Sequence, residues 1–289
     1  MSPAAIILCF DSRPNDYWVI ESHLDIIYDI IAQTSLSGTT IVLLITAAFV
    51  AGFIDAVAGG GGLLTVPAML STGLSPHVAL GTNKLAATFG SMTAAYTFYK
   101  NKLFDPVFWQ LSFWATCIGA LLGTVSVHYL DSAVLNKILP IFIGFSALYT
   151  LFNPIKENSN QELPTKNAKL SKKQIIQGSV LGFYDGFAGP GTGAFWTVSN
   201  LFLYKINLLL SSGLARAMNF VSNIFSLFAF IYLGHVNFVL GIIMGVFLMA
   251  GAYTGAHSAI KLGNRFIRPV FVTVVTIMTL KLGYDAWFY

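Results

Sequence analysis

Charge is what this chain has least of. Of its 289 residues only 10% are Asp, Glu, Lys or Arg, against about 25% in a soluble domain. That scarcity excludes an ordinary water-facing surface. The net charge of +4 is spread through short loops, which excludes a basic nucleic-acid footprint. Cysteine is nearly absent too. Cys9 and Cys117 lie far apart without paired spacing, so neither a disulfide framework nor a zinc site is expected. No HExxH, nucleophile elbow or serine–lysine dyad occurs, which leaves an intramembrane enzyme without machinery. No GKS or GKT follows a glycine cluster, which excludes a phosphate-binding loop of the nucleotide type. His77, His128, His235 and His257 have no carboxylate neighbours at ligand spacing. No metal and no cofactor are assigned.

Apolar residues are what is abundant: 55% of the chain, with a mean hydropathy of +0.71. The fold class that follows is an all-α polytopic membrane protein, since a helical crossing needs about 20 mostly apolar residues. Thr39–Ala58 is long enough to span. Gly61–Thr72 is short, contains Pro67 and is bounded by glycines, as a half-length or broken helix would be. Val78–Tyr99, Val107–Tyr129 and Ala133–Phe152 each support a crossing. Asn153–Lys173 is polar and carries Pro154, Pro164 and five lysines. The pattern then restarts with Gln174–Ala188, the short Gly191–Leu203, and the full-length Leu208–Leu233, Phe238–Ile260 and Phe266–Trp287.

The expected organisation is therefore a first membrane repeat over 38–152, a cytoplasmic polar linker over 153–173 and a second repeat over 174–289. Residues 1–37 form an N-terminal extension, in which Tyr17–Ile31 shows one apolar stripe and is expected to lie on the bilayer surface. No cleaved signal peptide is expected there. Each repeat has five elements, 8–10 membrane segments in all. An odd number per repeat inverts the second half relative to the first. The positive-inside rule puts Lys100 and Lys102, the lysine loop, and Lys261, Arg265 and Arg268 in the cytoplasm. Both termini then lie outside. Whether the first two elements of each repeat cross fully or form re-entrant hairpins is left open.

The halves carry a repeated motif. Laid over Gly182–Gly191 (GFYDGFAGPG), Gly52–Gly61 (GFIDAVAGGG) matches at six of ten positions. Asp55 and Asp185 fall at the same place in each copy. A carboxylate at membrane depth costs several kcal/mol unless it faces a partner or a watery cavity. Two readings stand side by side: Asp55 and Asp185 carry a coupling proton, or they cap the helices that follow. Those helices begin at Gly59, Gly60, Gly61 and Gly62 in one copy, and at Gly189, Gly191, Thr192 and Gly193 in the other. Short helix starts of this kind inside a membrane favour an anion, and paired interruptions in two halves point to a transporter's binding site.

Two cations accompany them. Lys84 follows Thr82 and Asn83 near the start of the third element, and Arg216 precedes Asn219 and Asn223 in the matching element of the second half. Each either binds the anion, snorkels to the interface or pairs with a repeated aspartate. The asparagines serve a substrate or tie helix to helix. The glycines at 241, 245, 251 and 255 are read as packing alone.

GFIDAVAGGGGLLTVPAML with ALGTNKLAATFGS, and GFYDGFAGPGTGAF with Arg216–Ala217–Met218–Asn219–Phe220 and Ser222–Asn223, resemble the paired motifs of the TauE/SafE family of anion exporters, in its YfcA-like branch. The resemblance runs from about Thr39 to the C-terminus. It implies a multi-pass plasma-membrane permease for small sulfur-containing anions such as sulfite or organosulfonates. Gly59–Gly62, Thr82, Asn83 and Lys84 match the first motif residue by residue, while Arg216 stands where that branch often has lysine. The partners expected are a small anionic substrate and membrane lipid, with no nucleic acid; homo-oligomerisation is left open. An anion channel and a non-transporting scaffold are the alternatives.

Overall fold

The computed structural model describes residues 36–139, 141, 163–164, 167–263, 265–267, 269 and 273. The surface helix expected over Tyr17–Ile31 lies outside these residues, as do most of Ala133–Phe152 and Phe266–Trp287. Among the described residues every regular element is a helix. In chain order they are α1 (Gly38–Ala58), α2 (Gly61–Leu70), α3 (Pro76–Lys100), α4 (Gln110–His128), α5 (Ala168–Phe187), α6 (Thr192–Tyr204), α7 (Leu208–Tyr232) and α8 (Phe238–Leu262). Residues 132–139 are also helical.

Side-chain caps set several of the starts. Ser37 Oγ accepts the Thr40 amide ahead of α1, and Asn207 and Asn237 accept the amides of Leu210 and Leu240 ahead of α7 and α8. Asn167 does the same for Leu170 at 2.8 Å. That cap explains one departure from the sequence reading. Helix α5 begins at Ala168, so the last lysines of the polar linker belong to a helix. Lysine is a good helix former, and its charge marked solvent rather than loop.

Helices α1, α4, α7 and α8 are each long and apolar enough to cross a membrane. Their exposed positions are hydrophobic: Leu43 is 65% exposed, Trp114 60% and Ile118 57%. Lys84 and Arg216 are 1% and 0% exposed. A protein with apolar residues outside and two cations buried inside has lipid for a solvent.

Small residues bring the helices close. On α5, a Cβ on Gly178, Gly182 or Gly186 would fall within 3 Å of the carbonyl oxygens of Ser112, Thr116 and Ala120 on α4. The matched steps of four mean that α4 and α5 run in the same direction, the packing that small residues four apart permit. Helices α1 and α8 do likewise, with Gly251 against Phe49 and Gly255 against Phe53. Gly241 and Gly245 receive Leu85 and Phe89 of α3, so the glycines of α8 serve packing.

The two ends of the bundle are marked by different contacts. At one, His77, His128 and His235 meet. At the other, Leu103 lies against Gly213, and Lys173 Nζ donates to the Leu203 carbonyl. Helix α1 starts at the histidine end, beside Leu240 and Met244. Helix α2 returns there, where Leu70 packs with Leu80 and Phe230. The pair α5–α6 enters and leaves at the opposite end. The chain thus forms two hairpins, each with a long first arm and a short second one. At about 1.5 Å per residue, the ten residues of α2 reach roughly half the depth of a bilayer core.

Candidate functional site

The hairpin tips meet in the middle of the bundle. Helix α1 ends at Gly59, whose φ of 85° belongs to the left-handed region that glycine enters without a steric penalty. Its carbonyl accepts the amide of Ala194 at 3.2 Å. A Cβ on Gly62 would stand 3.3 Å from Pro190 Cα. Backbone meets backbone here, which explains why both motifs are rich in glycine.

Four charges, three of them buried and Asp55 partly so, surround the meeting point and pair across the halves. Lys84 Nζ, from α3, donates to Asp185 Oδ1 at 2.7 Å and to Asn223 Oδ1 at 3.2 Å. Asp185 also accepts from Thr192 Oγ1 at 3.1 Å and from Ser222 Oγ. Arg216, from α7, approaches Asp55 of α1: its Nη1 lies 4.0 Å from Asp55 Oδ1. Asp55 Oδ1 accepts the Gly61 amide at 3.1 Å, and its Oδ2 accepts Asn219 Nδ2 at 3.3 Å. Each cation therefore faces the aspartate of the other half. Neither snorkels, because each lies deep among helices with a carboxylate nearby.

The two pairs are not equivalent. Lys84 Nζ and both oxygens of Asp185 have hydrogen-bond partners. Arg216 Nη2 donates to the Gly193 carbonyl at 3.2 Å and to Thr197 Oγ1 at 3.4 Å, but its Nε and Nη1 have no hydrogen-bond partner among the described residues. Asp55 is the more open of the two acids, with its side chain 15% exposed against 2% for Asp185.

Between the tips lies a cavity of about 20 Å3, room for about one water. Most of the residues singled out in the sequence line it: Asp55, Gly59, Gly61, Gly62, Asn83, Asp185, Gly189, Gly191, Thr192, Gly193, Asn219 and Asn223. Gly60 is the residue preceding α2 and lies outside the lining. Lys84 and Arg216 stand behind the walls, each beside a lining aspartate. Thr82 does not face the cavity. Its hydroxyl accepts the Asn237 amide at 2.9 Å and so ties the α7–α8 loop to α3.

Two contributors were not read from the sequence. Thr65 donates to Asn83 Oδ1 at 2.5 Å, and Ser222 holds Asp185. Thr65 is four residues beyond Gly61 and thus on one helix face with it, a signal that was there to use. Ser222 stood in the second motif, but nothing in the sequence gave it this role, since its partner is on another helix. Among the described residues no cluster suited to a metal ion occurs.

Buried ion pairs where two broken hairpins meet, within a bundle that turns its apolar side chains outward, define a polytopic membrane protein with a polar site at depth. A family profile described as "Sulfite exporter TauE/SafE" matches residues 44–282. A Haemophilus influenzae protein titled "Probable membrane transporter protein" is 37% identical over 253 residues, covering 86% of this chain and 96% of that one. The Escherichia coli protein YfcA, with the same title, is 37% identical over 84% of this chain and 90% of its own. The more distant Bacillus subtilis YdhB is 22% identical over 74% of this chain and 88% of its own. No solved structure matches. The chain belongs to the TauE/SafE family, a family of membrane transporters rather than enzymes.

Proposed function

We propose that this protein is a plasma-membrane carrier that moves small sulfur-containing anions, such as sulfite or organosulfonates, by alternating access. The observation that carries the reading is the crossed pairing of Lys84 with Asp185 and of Arg216 with Asp55. Contacts that join the halves at one central point are what two parts rocking about a fixed site would make and break. The family's description as sulfite exporters supports the class of substrate.

The anion is held where the tips meet, by the glycine-rich helix starts, by Lys84 or Arg216, and by Asn83, Asn219 or Asn223. A cavity with room for one water is too small for sulfite, so passage requires a rearrangement, which favours a carrier over an open channel. The four charges sum to zero. An anion entering alone would add an uncompensated charge at depth, at a cost of several kcal/mol. Entry with a proton or another cation removes that cost and supports proton coupling, with Asp55 or Asp185 as the acceptor.

The opposed entry of the two hairpins supports an inverted repeat. Together with the positive-inside rule, it supports an orientation with the histidine end and both termini outside the cell. Cysteine labelling of the 153–173 linker from inside only is the expected result, and labelling from outside would overturn the orientation.

The test of function is uptake of radiolabelled sulfite and a panel of sulfonates into proteoliposomes, with and without a pH gradient. Saturable, gradient-sensitive flux that is lost in Lys84→Ala or Arg216→Ala is expected. Flux that neither saturates nor responds to the gradient would mean a channel. Absence of flux for every anion, from protein shown to be folded, would defeat the reading.

A further inference from the structure

We infer that the two crossed pairs have different tasks: Arg216 with Asp55 forms the anion subsite, and Lys84 with Asp185 is a clasp between the halves. The inference rests on the carrier reading above. It starts from an inequality in hydrogen bonding. Each charged atom of the Lys84–Asp185 pair has a partner: the ammonium donates to a carboxylate and an amide oxygen, and the carboxylate also accepts two hydroxyls. A ligand arriving there would have to displace contacts already made.

Arg216 is the opposite case. It is wholly buried, and Nε and Nη1 find no acceptor among the described residues. A buried donor without a partner costs free energy comparable to a lost hydrogen bond, more for a charged group, and in a native protein it calls for an occupant. Nη1 points toward Asp55, a wall of the central cavity, yet stops 4.0 Å short of its oxygen. The backbone offers less than the glycine motifs suggest. The Gly61 amide is taken by Asp55 and the Ala194 amide by the Gly59 carbonyl. The guanidinium therefore supplies the charged donors at the site that are buried and still unbonded among the described residues.

The pairing also defines the ligand. Beside the unused donors of Arg216 stands a carboxylate that can accept another proton donor. The complement is a small oxyanion carrying an O–H or N–H of its own, its oxygen on Arg216 and its donor on Asp55. An oxyanion without such a group would set a bare negative charge against Asp55.

Isethionate and ethanesulfonate provide the test, since they differ by a single hydroxyl. Binding of each to the full-length protein in detergent is measured by equilibrium dialysis of the labelled compound, alongside flux in proteoliposomes. Isethionate should bind at least about tenfold more tightly, because a site built around a hydroxyl rejects the analogue lacking it. Arg216→Gln/Asp55→Asn keeps the site neutral and keeps an oxygen for the Gly61 amide; it should abolish the binding. Arg216→Lys keeps the charge but loses the planar donor set and should weaken binding about tenfold or more. Lys84→Met/Asp185→Asn should still bind isethionate while its flux changes.

Binding lost in Lys84→Met/Asp185→Asn but kept in Arg216→Gln/Asp55→Asn would overturn the division of tasks. Equal affinity for the two sulfonates would overturn the ligand class. Wild-type protein that neither binds nor moves any sulfonate or sulfite would instead defeat the carrier reading, and this inference with it.

Discussion

Gly59 and Gly193 touch backbone to backbone: a methyl group on Gly59 would stand 2.3 Å from the Gly193 carbonyl carbon, and one on Gly193 2.7 Å from Gly59 Cα. Neither neighbour is a flexible side-chain end that might move aside. Gly59→Ala and Gly193→Ala should each destabilise the protein by roughly 1–3 kcal/mol through overpacking. The left-handed φ of Gly59 adds about 1 kcal/mol at that position. Among the described residues Gly38 has nothing within 4 Å of an added Cβ, so Gly38→Ala is the control. Thermal unfolding in detergent measures all three, and equal losses at the three positions would refute the contact.

Removal of one partner from the Lys84–Asp185 pair strands a buried charge. Lys84→Met alone should cost about 3–5 kcal/mol, and the double change with Asp185→Asn much less than the sum of the singles. The same cycle on Arg216 and Asp55 should give the smaller coupling, because their charges are 4.0 Å apart rather than 2.7 Å. A coupling at Arg216 equal to that at Lys84 would contradict the geometry.

The histidine end of the bundle should respond to acid. His128 Nδ1 lies 2.9 Å from His235 Nε2, and the His77 ring centroid is 5.1 Å from that of His235. Partial burial, and then the charges of His77 and His128, hold His235 below its ordinary value of 6.5. As pH falls, the unfolded chain therefore takes up this proton before the folded one does. Its contribution to stability is full above pH 6.5 and erodes as pH falls toward the folded-state value. Melting temperatures from pH 8 to pH 5 should fall more steeply in the wild type than in His235→Gln. Parallel curves would show that the contact has no such consequence.

Thr82 distinguishes a loop anchor from a substrate ligand. Thr82→Val leaves the Asn237 amide without its acceptor and should cost about 1–3 kcal/mol of stability. Thr82→Ser should restore most of it. Substrate affinity measured on folded protein should change little in Thr82→Ser. A large loss of affinity with unchanged stability in Thr82→Val would return Thr82 to the anion site.

The repeated motif was legible because its parts violate the rules of their surroundings. Asp55 and Asp185 are carboxylates in apolar sequence, and the glycines that follow them cannot be explained as ordinary helix. The short second elements followed from glycine and proline bounds, and Gly61–Leu70 and Thr192–Tyr204 differ from the expected spans by a residue or two. Other features were hidden. The partner of Lys84 lies 101 positions away, and no local pattern joins Lys84 to Asp185 rather than to Asp55. The meeting of His77, His128 and His235 depends on three helix ends arriving at one place. Thr82 neighbours Asn83 in sequence, but successive residues of a helix point about 100° apart, so one faces the cavity and the other a loop.

The amino-acid sequence by itself determined the solvent of this protein, its helical class and the location of its two interruptions. Those properties are local: lipid demands long apolar segments with internally satisfied backbones, and any break or charge within them stands out. Only the tertiary structure decided which cation met which carboxylate, because that choice is made between helices whose contacts leave no mark on sequence spacing. It also decided that Lys84 would find two acceptors while two nitrogens of Arg216 found none among the described residues. Hydrogen-bond satisfaction is a matter of geometry within a few tenths of an ångström, and it exists only once the hairpin tips have met.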